Sequence, residues 1–204
     1  MTAVWLRAGL CALFFLTAGC SWFGFRSEPA QRQPAEDRAA REDAGTLPHV
    51  SPRARELFAL ARSVWDEQDQ CRDPAAAIGW LDAALEIQPE YGDALIWRGR
   101  ALSESGYLED AFDDLTRAIR LQPSALAYAE RGLTGLRLGA VQGAARDLEH
   151  ALSLDEDEAR AYVYRAALRF AQGETPQACS DLAAACARGL CLPRDKAAGS
   201  GLCP

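Results

Sequence analysis

From Ser51 onward the chain repeats itself, and this limits its possible folds more than any other feature. Ala77, Ala111, Ala144 and Ala178 are separated by 34, 33 and 34 residues. Leu81, Leu115, Leu148 and Leu182 keep the same steps, as do Ala84, Ala118, Ala151 and Ala185. Gly106, Gly139 and Gly173 fall between the helical stretches of successive units, and Pro89 and Pro123 close two of the units. A small–large–small ladder at helical spacing, returning about every 34 residues, is the signature of a stacked helical array. Such a unit cannot bury its apolar face alone, so each pair of helices must lean on the next.

The ladder resembles the tetratricopeptide repeat, a helix–turn–helix unit. The resemblance implies an all-α, right-handed superhelix of about four stacked helix–turn–helix repeats, covering residues 51–190 as units 52–91, 92–124, 125–158 and 159–190. The first unit is irregular, with a longer loop around Asp66 to Asp73. The family's aromatic pair on the first helix is replaced here by Leu95, Tyr128 and Tyr162, then by Leu102, Gly135 and Arg169. Gly99 and Gly132 should allow close approach where the first helix crosses the second, and Gly106, Gly139 and Gly173 should end the first helices as left-handed caps. Arg98, Arg131 and Arg165 recur at one place, and Asp114, Asp147 and Asp181 at another on the partner helix. The first unit has Trp80 where the others have aspartate, and no arginine at the matching place. This joint absence points to an Arg–Asp bridge within each later unit; two independent solvated charges are the other reading.

An array of this kind leaves a long concave surface lined by first helices. By the family resemblance, the residues facing it include Trp97, Arg100, Glu130, Leu133, Arg137, Arg160, Tyr164 and Phe170. Aromatic and arginine side chains are enriched at binding hot spots, so the expected occupant is a protein or peptide segment with apolar anchors and some acidic groups. The other reading for Trp97, Leu133, Leu136 and Phe170 is that they pack between adjacent units. The family's clamp for C-terminal carboxylates uses Lys and Asn at such places; this chain has neither there, so that mode of binding is not expected.

Residues 1–20 read MTAVWLRAGLCALFFLTAGC. Arg7 precedes an uncharged run, Ala8 to Ala18, which is too short to span a bilayer but suits the apolar region of a secretory signal. Its end, Leu16-Thr17-Ala18-Gly19-Cys20, resembles the lipobox of bacterial lipoproteins, with Thr17 where that family prefers Leu. The resemblance implies a signal peptide over residues 1–19, cleavage before Cys20, and lipidation of Cys20. Several acyl chains anchor a protein stably where one does not. By the sorting rule of such lipoproteins, Ser21 rather than Asp points to the periplasmic face of the outer membrane. An uncleaved anchor from Val4 to Phe25 is the alternative. Residues 20–50 then form the lipidated terminus and a linker with Pro29, Pro34 and Pro48, whose composition cannot bury enough apolar surface to fold. Such a coil spans on the order of 30 Å, and Trp22 to Phe25 suit the bilayer interface.

The chain has seven cysteines. Four of them, Cys179, Cys186, Cys191 and Cys203, lie in a closing segment that resembles the cysteine-rich ends of some bacterial repeat proteins. Cys179 and Cys186 share one helical face but lie about 10.5 Å apart along the axis, beyond the reach of a disulfide. If the tail runs back along the last helix, Cys186 meets Cys191 and Cys179 meets Cys203, so residues 191–204 become a disulfide-bonded cap. Free thiols in a reducing compartment are the alternative. The spacing lacks the paired C-x-x-C arms of a zinc site or redox motif, and Cys71 is left odd.

The net charge of −7 and the single lysine, Lys196, argue against a nucleic-acid surface. His49 lies in the linker, and His150 beside Glu149 has no nucleophile at a useful spacing. No phosphate loop is present. No catalysis, metal or cofactor is expected. The reading is a non-enzymatic, lipid-anchored interaction scaffold; an assembly factor of the pilotin type for an outer-membrane complex would share the fold and differ in partner.

Overall fold

The computed structural model describes residues 50–66 and 70–203. The expected signal peptide, Cys20 and nearly all of the linker lie outside these residues. Among the described residues the elements are helical: α1 Pro52–Arg62, α2 Pro74–Ile87, α3 Gly92–Ser105, α4 Leu108–Leu121, α5 Ala125–Arg137, α6 Val141–Leu154, α7 Ala159–Ala171, α8 Thr175–Ala187 and α9 Leu192–Gly199. The first eight pair off as four helix–turn–helix units stacked in sequence order, an all-α, TPR-like superhelix. No described helix is long and apolar enough to cross a membrane.

Local chemistry starts and stops these helices. Asp73 accepts from the Ala76 N–H at 3.0 Å and Pro74 fills the first turn of α2. Ser124 does the same for α5 through Ala127 at 3.2 Å. Both remove an orphan donor that a helix start would otherwise leave unsatisfied. At the other end, Gly106 adopts φ 88°, which turns the chain from α3 into α4. A β-carbon there would meet open space, but residues with one rarely adopt this φ.

Packing follows the ladder. Leu81, Leu115 and Leu148 are fully buried, and the alanines at the two flanking rungs are buried in all four units. The close crossings of the second and third helix pairs depend on glycine. A β-carbon on Gly132 would lie 2.9 Å from Leu148 Cγ and 3.3 Å from the Ala144 carbonyl oxygen. One on Gly99 would lie 2.8 Å from Leu115 Cγ. Gly132→Leu should therefore destabilise the fold by about 1–3 kcal/mol through overpacking, read as a lower urea midpoint with an unchanged slope. A midpoint equal to wild type would mean that the crossing has slack.

Within each of the last three pairs a bidentate ion pair links first helix to second. Arg98 donates to Asp114 at 2.6 and 2.8 Å, Arg131 to Asp147 at 2.8 and 2.7 Å, and Arg165 to Asp181 at 3.0 and 2.7 Å. These contacts lie far inside the roughly 6 Å that would separate bridges from independent charges. The Asp114, Asp147 and Asp181 hydrogen bonds are the main reason the three guanidinium groups are pushed above their ordinary range. Bidentate geometry adds orientation as well as energy, so the bridge helps to fix the angle within each of these three helix pairs. In the first unit Arg62 instead lays its guanidinium over the Trp97 ring, 3.3 Å from its centroid.

The chain past α8 turns back as α9 and covers the end of the array. Ala197 and Cys203 pack against Ala166, Ala178 and Leu182. The structure brings Cys179 together with Cys203, their Cα atoms 5.6 Å apart, and Cys186 with Cys191 at 4.0 Å, each pair bonded. Cys71 is free and half-buried.

Candidate functional site

First helices of consecutive pairs lie side by side because each pair is displaced along the stack by one repeat. Residues about 34 apart on them are therefore neighbours. On the face they share, α3, α5 and α7 line a cavity of about 540 Å³. α3 contributes Arg100, Ser103 and Glu104, α5 contributes Glu130, Leu133 and Arg137, and α7 contributes Arg160, Val163 and Tyr164. Gln70 and Cys71 from the irregular first loop, and Leu190, Leu192, Pro193 and Lys196 from the closing segment, complete the lining.

A buried polar cluster lies in this lining. Glu130 is 2% exposed and Arg100 4%, so neither charge is solvated. Tyr164 donates its hydroxyl to Glu130 Oε1 at 3.0 Å, the residues being 34 apart. Arg100 Nε stands 3.5 Å and Arg160 Nε 3.9 Å from the same oxygen, and Arg100 is also 3.6 Å from Glu104. A buried carboxylate is tolerated only with such partners. Burial first, then the nearby Glu130 charge, pushes the Tyr164 phenol well above its usual range, so it remains a donor. Nearer the rim, Arg137 Nη1 donates to the Ser103 carbonyl at 2.8 Å and to its hydroxyl at 3.0 Å, again across 34 residues. Burial and then the Glu104 charge raise the Cys71 thiol, so it stays protonated at neutral pH and is a poor nucleophile.

Of the eight residues expected on the concave face, the structure brings together Arg100, Glu130, Leu133, Arg137, Arg160 and Tyr164 in this lining. Trp97 and Phe170 are not in it, and here the expectation needs correcting. Trp97 is 7% exposed and packs edge-on against Trp65, with ring centroids 4.9 Å apart. The irregular loop after α1 folds down over it and removes it from the open surface. Phe170 packs with Ala166, Ala178, Leu182 and Cys179 beneath the closing segment. Trp97 takes the alternative role of packing between units, whereas Phe170 packs within its own unit and under the closing segment. Arg100 and Glu130 form part of the lining, but as a mutually paired buried cluster rather than as exposed anchors. The lining residues that sequence reasoning missed are Gln70, Cys71, Glu104, Leu190, Leu192, Pro193 and Lys196. Leu192, Pro193 and Lys196 lie outside the repeat, so periodicity carries no signal for them.

No described cluster of three or more His, Cys, Asp and Glu side chains is placed to hold a metal. The lining combines apolar walls with fixed donors and cations.

The tetratricopeptide repeat family matches residues 92–124. Hsc70-interacting protein 1 of Drosophila melanogaster is 35% identical over 120 residues, which is 56% of this chain and 31% of that protein. Human tetratricopeptide repeat protein 13 is 30% identical over 93 residues, 46% of this chain and 11% of that protein. The chain thus spans less than a third of the length of these curated relatives. Among solved structures, a thermophilic TPR protein from Thermus thermophilus superposes with a TM-score of 0.57 at 23% identity, over 81% of this chain and 84% of that one. At that identity the likeness bears on fold alone. The chain is an all-α, TPR-like superhelix whose residues 92–124 match the tetratricopeptide repeat.

Proposed function

We propose that this chain is a non-enzymatic protein-interaction scaffold, lipid-anchored through Cys20 at the periplasmic face of the bacterial outer membrane. On this reading it holds a segment of a partner protein in the cavity along α3, α5 and α7. The observation that carries it is that cavity, where three successive first helices present apolar walls and fixed cations on one concave face. Sites of this shape take extended or helical segments, with buried anchors supplying most of the affinity. A relative named for its interaction with another protein, Hsc70-interacting protein 1, supports the class of function and leaves the partner open. The lipobox-like end at Cys20 supports the anchor, and the oxidising periplasm is where the paired cysteines would persist.

Affinity capture from native envelopes tests the groove. At least one protein retained by the wild type should fall about tenfold with Leu133→Glu, which places a charge in the apolar wall, because an unpaired buried charge costs well over about 1.4 kcal/mol. Arg146→Glu, on the exposed face of α6, should leave capture unchanged. An identical list for all three proteins would remove the groove assignment. Incorporation of labelled palmitate, abolished by Cys20→Ser, tests the anchor independently.

A further inference from the structure

The closing helix does more than cover the end of the stack. α9 and the turn before it form one wall of the cavity, with Leu192 and Lys196 facing the same space as Arg137 and Val163. Charge in that space is unbalanced. Arg100, Arg137, Arg160 and Lys196 face Glu104 and Glu130 there, an excess of two positive charges in a chain whose net charge is −7. Arg100 and Arg160 both lie within 4 Å of Glu130, Arg100 also of Glu104, and Arg160 also of Glu158, a carboxylate outside the lining. The surplus therefore resides on Arg137 and Lys196. Ser103 holds the Arg137 guanidinium in place through neutral acceptors at 2.8 and 3.0 Å, without neutralising it. Among the described residues neither Arg137 nor Lys196 has a carboxylate within 4 Å, whereas Arg194, two residues from Lys196, is paired with Asp195 at 2.8 Å and is not in the lining.

Two cations on the wall of a concave site focus the local field. A carboxylate placed between them gains charge-assisted hydrogen bonds. We propose that Arg137 and Lys196 form a seat for a side-chain carboxylate of the bound segment, whose neighbouring apolar side chain rests on Leu133, Val163 and Leu192. The inference rests on the groove reading above and adds the two residues that hold the acid of an acidic, apolar-flanked protein segment, one of them on the closing helix outside the repeat. Leucine, valine and proline walls suit side chains, and the chain's acidic balance disfavours a polyphosphate backbone. The cap is thereby part of the recognition site, and the Cys179–Cys203 and Cys186–Cys191 pairs hold Lys196 at its wall.

The test is selection of a randomised twelve-residue peptide library on the immobilised full chain with disulfides intact. Affinities of the synthetic consensus peptide are then measured by fluorescence anisotropy. The selected pool should be enriched in Asp or Glu beside an aliphatic or aromatic residue. Changing that acid to its amide should weaken binding about tenfold, the worth of one hydrogen bond to a charged group. Lys196→Glu and Arg137→Glu should each cause a loss of at least that size, and Lys196→Gln a smaller one. Arg194→Glu makes the same charge change on α9 outside the cavity and should leave affinity unchanged. Thermal melts verify that each variant is folded. Peptides that need Leu133 but show no acidic preference, or that ignore Lys196→Glu, overturn the seat and leave the groove reading standing. An equal loss in Arg194→Glu also overturns it, since net charge alone would then explain the effect. A selection yielding no peptide that depends on Leu133 overturns both readings.

Discussion

Glu130→Ala should destabilise the fold by about 3–5 kcal/mol, the cost of removing one partner from a buried ion cluster. Glu130 is 2% exposed and accepts from Tyr164 at 3.0 Å, with Arg100 and Arg160 within 4 Å. Without the carboxylate, the Arg100 guanidinium stays 4% exposed and loses a charge partner, while Glu104 remains at 3.6 Å. Arg160 keeps Glu158 at 3.5 Å, but the carboxylate that lay within 4 Å of both arginines is gone. For a domain of this size each kcal/mol lowers Tm by about 2–4 °C, so a fall on the order of 10 °C is expected. A second variant separates charge from shape. Arg100→Met with Glu130→Met removes both partners and should recover most of the loss, because apolar replacement of a whole buried pair is often neutral. A single variant that melts with the wild type would show that water reaches this carboxylate and that the cluster is not the dry floor of the groove.

Why that cluster was only partly visible in the sequence is a matter of what periodicity encodes. The rungs Ala111, Leu115 and Ala118 are read easily because each must fill the same small space in every unit. The Arg98–Asp114 bridge is legible for the same reason: it recurs, and it fails jointly where Trp80 replaces the aspartate. Trp97, Glu130 and Tyr164 occupy equivalent places on α3, α5 and α7, yet their chemistry differs at each step, so a repeat template marks all three as groove-facing. Only the packed structure shows that Trp65 covers Trp97 at 4.9 Å while Glu130 and Tyr164 pair with each other. A sharper sequence signal existed: polar residues one period apart, such as Ser103 with Arg137 and Glu130 with Tyr164, become direct neighbours once units stack. The closing segment had no such signal for its helix. Its cysteines marked where the chain must return, but placing Lys196 on the cavity wall needed the coordinates.

Cys179→Ser with Cys203→Ser should lower stability by about 3 kcal/mol. The bond joins residues 24 apart in sequence, and the chain-entropy model assigns a loop of that length roughly this constraint on the unfolded state. The Cys186–Cys191 pair, separated by 5 residues, closes a much shorter loop, for which the same model gives about 2 kcal/mol. The longer bond carries a second term that loop length ignores. Ala197 and Cys203 are 7% and 8% exposed and cover Leu182 and Ala178 at the end of the stack. A solenoid must shield its terminal apolar face, so a cap that frays exposes the rungs of the last unit. Urea unfolding in oxidising and reducing buffer distinguishes the contributions. The wild type should lose stability on reduction, while the double serine variant should start lower and lose only what the shorter bond supplies. If the variant matches the oxidised wild type, the cap is held by packing alone, and the wall carrying Lys196 does not depend on that bond.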